Sequence, residues 1–293
     1  MLKYNLNKKS VLAFALILAA PAARPSSQER RPDRARFVMG TVCEIEAEGP
    51  DAAVTAAFTE LERWDRLLSL YKDDSELVAL NAKAGTGPVA VSAELYAVTA
   101  LALKRAEQTG GAFDPTILPL LRRGAAARHA VGWRKVRLDA AARTVALPAG
   151  GGLDFGGIGK GWALDRAGEV LRAGGVSAAR LNFGGQVLAL GAPAGATGWE
   201  VLLPGRAEPL LLKDASVAVS GNTERPGHIV SPFTGERLHR DFAVAVLAPT
   251  AAEADGWSTA LYVLGKNPPS FRGRSFFLPG IPARKRIIKE HAS

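Results

Sequence analysis

Apolar residues recur at three- and four-residue steps after Pro50-Asp51, at Val54, Ala57, Phe58, Leu61, Trp64 and Leu68, which predicts a helix with one face against a core. A second stretch of the same period opens at Ser92, with Leu95, Val98, Ala102 and Ala106 in register. It stops at Gly110-Gly111, because glycine tolerates the left-handed dihedrals that end a helix. Ahead of both, Cys43, Ile45 and Ala47 alternate with Glu44 and Glu46 inside Phe37–Ala47, the pattern of a half-buried strand. A short strand pair is expected around Lys135–Asp139 and Thr144–Leu147. A strand-loop-helix-strand unit follows: Leu153–Phe155, the glycine loop Gly156–Gly161, a helix through Leu171 stopped by Gly174-Gly175, then Ala179–Phe183. The chain is then β-rich up to Phe242–Ala248. Thr250-Ala251-Ala252-Glu253 reads as a capping box that starts one last helix and fixes its phase from Ala251 onward.

With 293 residues and 47% apolar content, the chain can bury a substantial core. No repeat of 20–50 residues and no strong linker interrupts residues 35–290. The expected architecture is α+β, a two-lobed single domain with mixed or antiparallel sheets flanked by helices. Basic Lys3, Lys8 and Lys9, the apolar run Val11–Leu18 and the Ala-rich stretch to Ala23 have the form of an export signal, expected to be removed near Ala23, with an uncleaved anchor as the alternative. The domain organisation expected is therefore a leader over residues 1–23, a solvated tether over 24–35 and one folded domain over 36–293. One cysteine, Cys43, cannot close an internal disulfide. The net charge of +9 is dispersed and has no interleaved stacking aromatics, so nucleic-acid binding is not expected.

On the last helix, Asp255 and Thr259 stand one turn apart on the same face, where a carboxylate and a hydroxyl can reach one hard cation. A surface Asp with a Thr bonding back to the preceding turn is the plainer alternative. The Gly156–Gly161 loop lets backbone N–H groups approach an anion at a helix N-terminus, with Lys160 adding a point charge; a plain tight turn fits the same residues. It is neither a Walker A loop nor a dinucleotide fingerprint. His228 lies in a loop between strands, where an imidazole can act as a base or serve only the structure. There is no His-Glu-x-x-His, paired Cys-x-x-Cys or Gly-x-Ser-x-Gly pattern, which removes zinc proteases, zinc ribbons and common serine hydrolases.

In order along the chain, several segments resemble the ApbE family of FAD:protein FMN transferases. They are Met39-Gly40-Thr41, Ser69-Leu70-Tyr71 with Asp74–Leu77 and Leu80-Asn81, Gly111–Thr116, Leu153–Gly161, Asn182–Gly185, Ser220-Gly221, His228-Ile229, and Ala254-Asp255 to Thr259-Ala260. The resemblance implies an ApbE-like fold and a magnesium ion held by Asp255, Thr259 and the Gly157 carbonyl. It implies FAD contacts from Met39, Tyr71, Ala112, Phe113, Asp114, Asp154, Lys160 and Val230, with His228 near the reacting hydroxyl.

The activity implied is transfer of FMN from FAD to a Thr or Ser hydroxyl of an exported acceptor, a redox or electron-transfer subunit, with release of AMP. FAD hydrolysis to FMN and AMP, or FAD binding without chemistry, are the alternatives. The location implied is outside the cytoplasm, in the periplasm or on the outer face of the inner membrane. Two positions depart from the family pattern: Gln186 follows Asn182–Gly185 where Asp is usual, and Ser231 precedes Pro232 where Asp is usual.

Overall fold

The computed structural model of the protein describes residues 34–222 and 227–279. The expected leader and nearly all of the tether lie outside the described residues. In chain order the elements are β1 (Ala35–Val38), β2 (Thr41–Glu48), α1 (Asp51–Leu68), α2 (Glu76–Ala82), β3 (Pro88–Ala90), α3 (Ala93–Gln108) and α4 (Leu118–Arg123). Two 3-10 turns (Ala125–Ala130 and Trp133–Lys135), β4 (Arg137–Asp139), β5 (Thr144–Ala146), α5 (Gly159–Ala173) and β6 (Ala178–Phe183) follow. The remainder is β7 (Gln186–Leu190), β8 (Trp199–Val201), β9 (Leu210–Leu212), β10 (Ala215–Ser220), β11 (Phe242–Ala248), α6 (Ala251–Leu264) and β12 (Arg274–Pro279).

A seven-stranded sheet in the order β1-β2-β6-β7-β10-β11-β12 forms the centre, and its neighbouring strands all pair antiparallel. Alternation along the strands separates two cores. Leu181 and Phe183 of β6, Leu188 and Leu190 of β7, and Val244 and Val246 of β11 face the main core with α1, α5 and α6. Val187, Ala189, Ala243 and Ala245 face a second core under the β8–β9 pair with Trp199 and Leu212. This period of two is the physical origin of the two-layered build. Cys43 is buried in the main core, and burial pushes its thiol far up, so it behaves as a small apolar residue.

The helical periodicities hold: every apolar residue that predicted α1 is buried, and α3 is capped by Ser92, whose side chain accepts the Leu95 N–H. Four expectations are corrected. Phe37–Ala47 is two strands, because Met39 (φ 47°) and Gly40 (φ 78°) turn the chain back on itself. Leu153–Phe155 joins no sheet: the Asn81 side chain takes both the Leu153 N–H (2.7 Å) and its carbonyl (2.9 Å), and Asp154 N–H goes to Pro115 O. A side chain thus replaces the ladder partner that a strand needs. Helix α6 does not end the core, since β12 pairs with β11 as the sheet edge. The strand pair β4–β5 gains a third member, β3.

Candidate functional site

Helix α6 begins after Thr250, whose hydroxyl accepts the Glu253 N–H at 3.2 Å. The next two free amides are not left to water: Asp165 on α5 accepts Ala251 N–H at 2.7 Å and Ala252 N–H at 2.9 Å. Gln186 Nε2, on β7, donates to Ala251 O at 2.6 Å. Its own cap and two neighbouring elements, α5 and β7, therefore clasp the first turn of α6 and set the direction of its side chains. Burial raises the Asp165 carboxyl above its usual range, against the pull of the two amides.

One turn further, Asp255 is 5% exposed, accepts the Gly161 N–H through Oδ2 at 3.1 Å, and has Oδ1 4.0 Å from Lys160 Nζ. Thr259 lies against the glycine loop: a β-carbon built on Gly157 meets Thr259 Oγ1 at 3.0 Å and Phe113 Cε2 at 3.3 Å. Only glycine admits this approach without displacing the hydroxyl. Ser220 Oγ, at the end of β10, bonds Ser258 Oγ at 2.8 Å and reaches Thr259 Oγ1 at 3.4 Å, so the hydroxyl is oriented from behind.

The glycine loop is not the amide cradle its composition invites. Gly156 N–H goes to Asp154 Oδ1, Ile158 and Gly159 N–H to Phe155 O, and Gly161 N–H to Asp255. The Lys160 ammonium is the anion-seeking group that remains beside Asp255. Asp154 is raised well above the ordinary carboxylate range by burial, opposed by the Gly156 N–H and by the positive charges of Arg122 and Lys160.

Of the other sequence-predicted residues, Met39 reaches the same corner, with its Cε 3.6 Å from a β-carbon built on Gly159. Ala112 and Phe113 are buried beside the loop. Asp114 holds its own segment: Oδ1 accepts Thr116 N–H and Oγ–H at 2.8 and 2.6 Å, and Oδ2 accepts Trp133 N–H at 3.1 Å. Burial raises this carboxyl too. Asp114 borders a cavity of about 390 Å³ lined also by Gly111, Arg128, Trp133, Arg134 and Phe233. Val230 is buried with Leu120 and Val131. Tyr71, by contrast, is 95% exposed, and His228 lies on the exposed side of its loop while Ile229 and Val230 turn inward.

The two departures from the family pattern acquire structural accounts. Gln186 is 2% exposed and serves the α6 clasp, and Ser231 Oγ accepts Phe233 and Thr234 N–H at 3.3 Å each, so a hydroxyl closes the turn. Sequence reasoning missed the clasp, and it read Ser220 only as part of a motif, without its bond to Ser258 and approach to Thr259. A signal existed for Asp165: Gly161, Asp165 and Gly168 share one face of α5, and a carboxylate among small buried positions needs a donor.

Among the described residues no group of three or more His, Cys, Asp or Glu side chains is placed to hold a metal. One buried carboxylate, one hydroxyl and a backbone carbonyl are all hard oxygen donors, which suits magnesium rather than zinc or copper.

The ApbE family model matches residues 39–270. The FAD:protein FMN transferase of Treponema pallidum is 35% identical, covering 87% of this chain and 84% of that protein. That of Klebsiella pneumoniae is 28% identical, over 78% and 77%. The ApbE protein of Thermotoga maritima superposes with a TM-score of 0.75 at 26% identity, covering 83% of this chain and 92% of that one. The apo flavinyl transferase ApbE of Pseudomonas stutzeri, at 24% identity, gives a TM-score of 0.74 over 83% and 90% and shares the fold.

Proposed function

The chain belongs to the ApbE family, and from that premise we propose that it is an FAD:protein FMN transferase that moves FMN from FAD to a Thr or Ser hydroxyl of an exported acceptor protein and releases AMP. The observation that carries the reading is the meeting of Asp255 and Lys160 with Thr259 against Gly157, a set of hard oxygen donors with one ammonium beside it. Magnesium bound by the Asp255 carboxylate, the Thr259 hydroxyl and the Gly157 carbonyl would supply Lewis-acid neutralisation of the pyrophosphate.

The chain's own residues do the rest. Lys160 balances phosphate charge. Met39 offers soft apolar surface beside the loop, backed by buried Phe113, and exposed Tyr71 offers a face for a ring to stack on. His228 takes the proton of the acceptor hydroxyl as its oxygen bonds the flavin-side phosphorus, and the bond to the AMP phosphate breaks with the electron pair leaving on AMP. Asp154, Ala112, Asp114 and Val230 shape the FAD-contacting walls.

The test incubates the protein with FAD, magnesium and an electron-transfer fragment carrying a Thr-containing flavinylation sequence, with and without a chelator. Covalent flavin fluorescence on the fragment with stoichiometric AMP, abolished by chelation, supports the reading. AMP with free FMN makes the protein a hydrolase, and retained FAD without AMP makes it a binder; either result overturns transfer.

A further inference from the structure

From Pro115 to Leu138 the chain contains no acidic residue, yet it carries Arg122, Arg123, Arg128, Arg134, Lys135 and Arg137, with His129 among them. The six cations are exposed, and none of them forms an ion pair among the described residues. Some are partly used. Arg123 donates to Gly150 O, Lys135 bonds the carbonyls of His129 and Val131, and Arg122 and Lys135 act on the Asp154 and Asp114 carboxylates. Arg128 and Arg134, with His129, line the rim of the cavity beside Asp114. The Arg134 guanidinium is laid over Trp133 at 4.3 Å, which holds it in place without neutralising it.

This basic segment is built into the site's surroundings. Asp114 ties it at Trp133, Val131 packs on Val230 just after His228, and Gly235 sits against Ala125 and Leu120. Phe113, next to Asp114, touches the glycine loop. The proposed FAD places its negative charge in the pyrophosphate, which Lys160 faces, and its rings are neutral. The surplus charge of the rim therefore has no counterpart in FAD.

Building on the transferase reading, we infer that the rim of Arg128, His129 and Arg134 docks the acceptor polypeptide through acidic residues flanking its reactive hydroxyl. A single-signed rim beside a cleft raises encounter rates and fixes orientation, and its effect is screened by salt. Protein rather than membrane is the partner because the rim borders the cleft into which the hydroxyl must pass.

The experiment measures the KM of an electron-transfer fragment that the wild-type enzyme labels, in two versions, with the acidic residues around the modified Thr kept or changed to amides. For the double variant Arg128→Glu and Arg134→Glu, KM for the acidic fragment should rise about tenfold or more at low ionic strength and by less than about twofold at 0.5 M salt. Its Kd for FAD should stay within about twofold, and the amide fragment should show little difference between variant and wild type. Arg137→Glu, in the same segment but off the rim, should leave KM in place. A double change to Gln should give a smaller rise, with an unchanged urea midpoint showing the fold intact. Unchanged KM, a rise confined to the FAD Kd, or loss of binding to phosphatidylglycerol vesicles without a KM change overturns the rim assignment while leaving transfer standing. If no electron-transfer fragment offered to the wild type takes label, both readings fall.

Discussion

Replacing Gly161 with Ala tests whether the α5–α6 crossing sets Asp255 and Thr259, the proposed magnesium ligands. A β-carbon there collides with Ala251 O and stands 2.6 Å from Ala251 C and 2.7 Å from Ala252 Cα. All three are backbone atoms of a helix start fixed by Asp165 and Gln186, so none can rotate aside. To regain ordinary contact near 3.4 Å, α6 must retreat by at least about 0.8 Å. That motion stretches the 3.1 Å bond from Gly161 N–H to Asp255 and draws Thr259 from Gly157. Overpacking of this kind costs about 1–3 kcal/mol in stability, and a misplacement near 1 Å costs about a hundredfold in rate. Urea denaturation and the magnesium dependence of AMP release read the two effects separately. Gly168→Ala on the same helix is the control, because its β-carbon meets only side-chain ends, Leu188 Cδ2 at 3.1 Å and Leu190 Cδ2 at 3.5 Å; it should be neutral or stabilise by up to about 1 kcal/mol. If Gly161→Ala unfolds with the wild type and keeps its magnesium half-saturation, the crossing does not position the site.

Three more outcomes are expected. Burial raises Asp154 above its ordinary 3.8, so above that pH the folded state at first holds more protons than the unfolded, and stability contributed by this group falls as pH rises until the folded carboxyl has also ionised; Asp154→Asn should gain on wild type as pH climbs through that window, and parallel stability curves would sink the argument. Asn81→Ala leaves both backbone groups of Leu153 without partners and should cost about 2–4 kcal/mol in thermal or urea unfolding, with weaker FAD binding; a loss under about 0.5 kcal/mol means the Asn81 amide is dispensable. His228→Ala should slow transfer by about a hundred- to ten-thousandfold while fluorescence titration finds FAD affinity intact, and normal transfer removes the imidazole from the chemistry.

What the chain discloses in advance depends on the range of the interaction concerned. The helices α1, α3, α5 and α6 were legible because their apolar period and their caps are local, as with Ser92 and Thr250. Helical phase put Asp255 and Thr259 on one face of α6, but not the Gly161 amide and the Gly157 turn that they meet there. The false strand at Leu153 arose because its partner is a side chain 72 residues earlier, which no periodicity records. Asp165 and Gln186 hold Ala251 across 86 and 65 residues, and β12 is recognised as a strand through the β11 edge it covers. Short α2 and α4 have too few turns for a period to declare itself.

The bond from Gly161 to Asp255 spans 94 residues, and its acceptor lies on the last helix of the described chain. A growing polypeptide thus exposes its glycine turn long before the groups that complete the centre have been made. A product truncated ahead of residue 250 keeps most of the strands of the sheet but lacks both Asp255 and Thr259, and with them the proposed cation site.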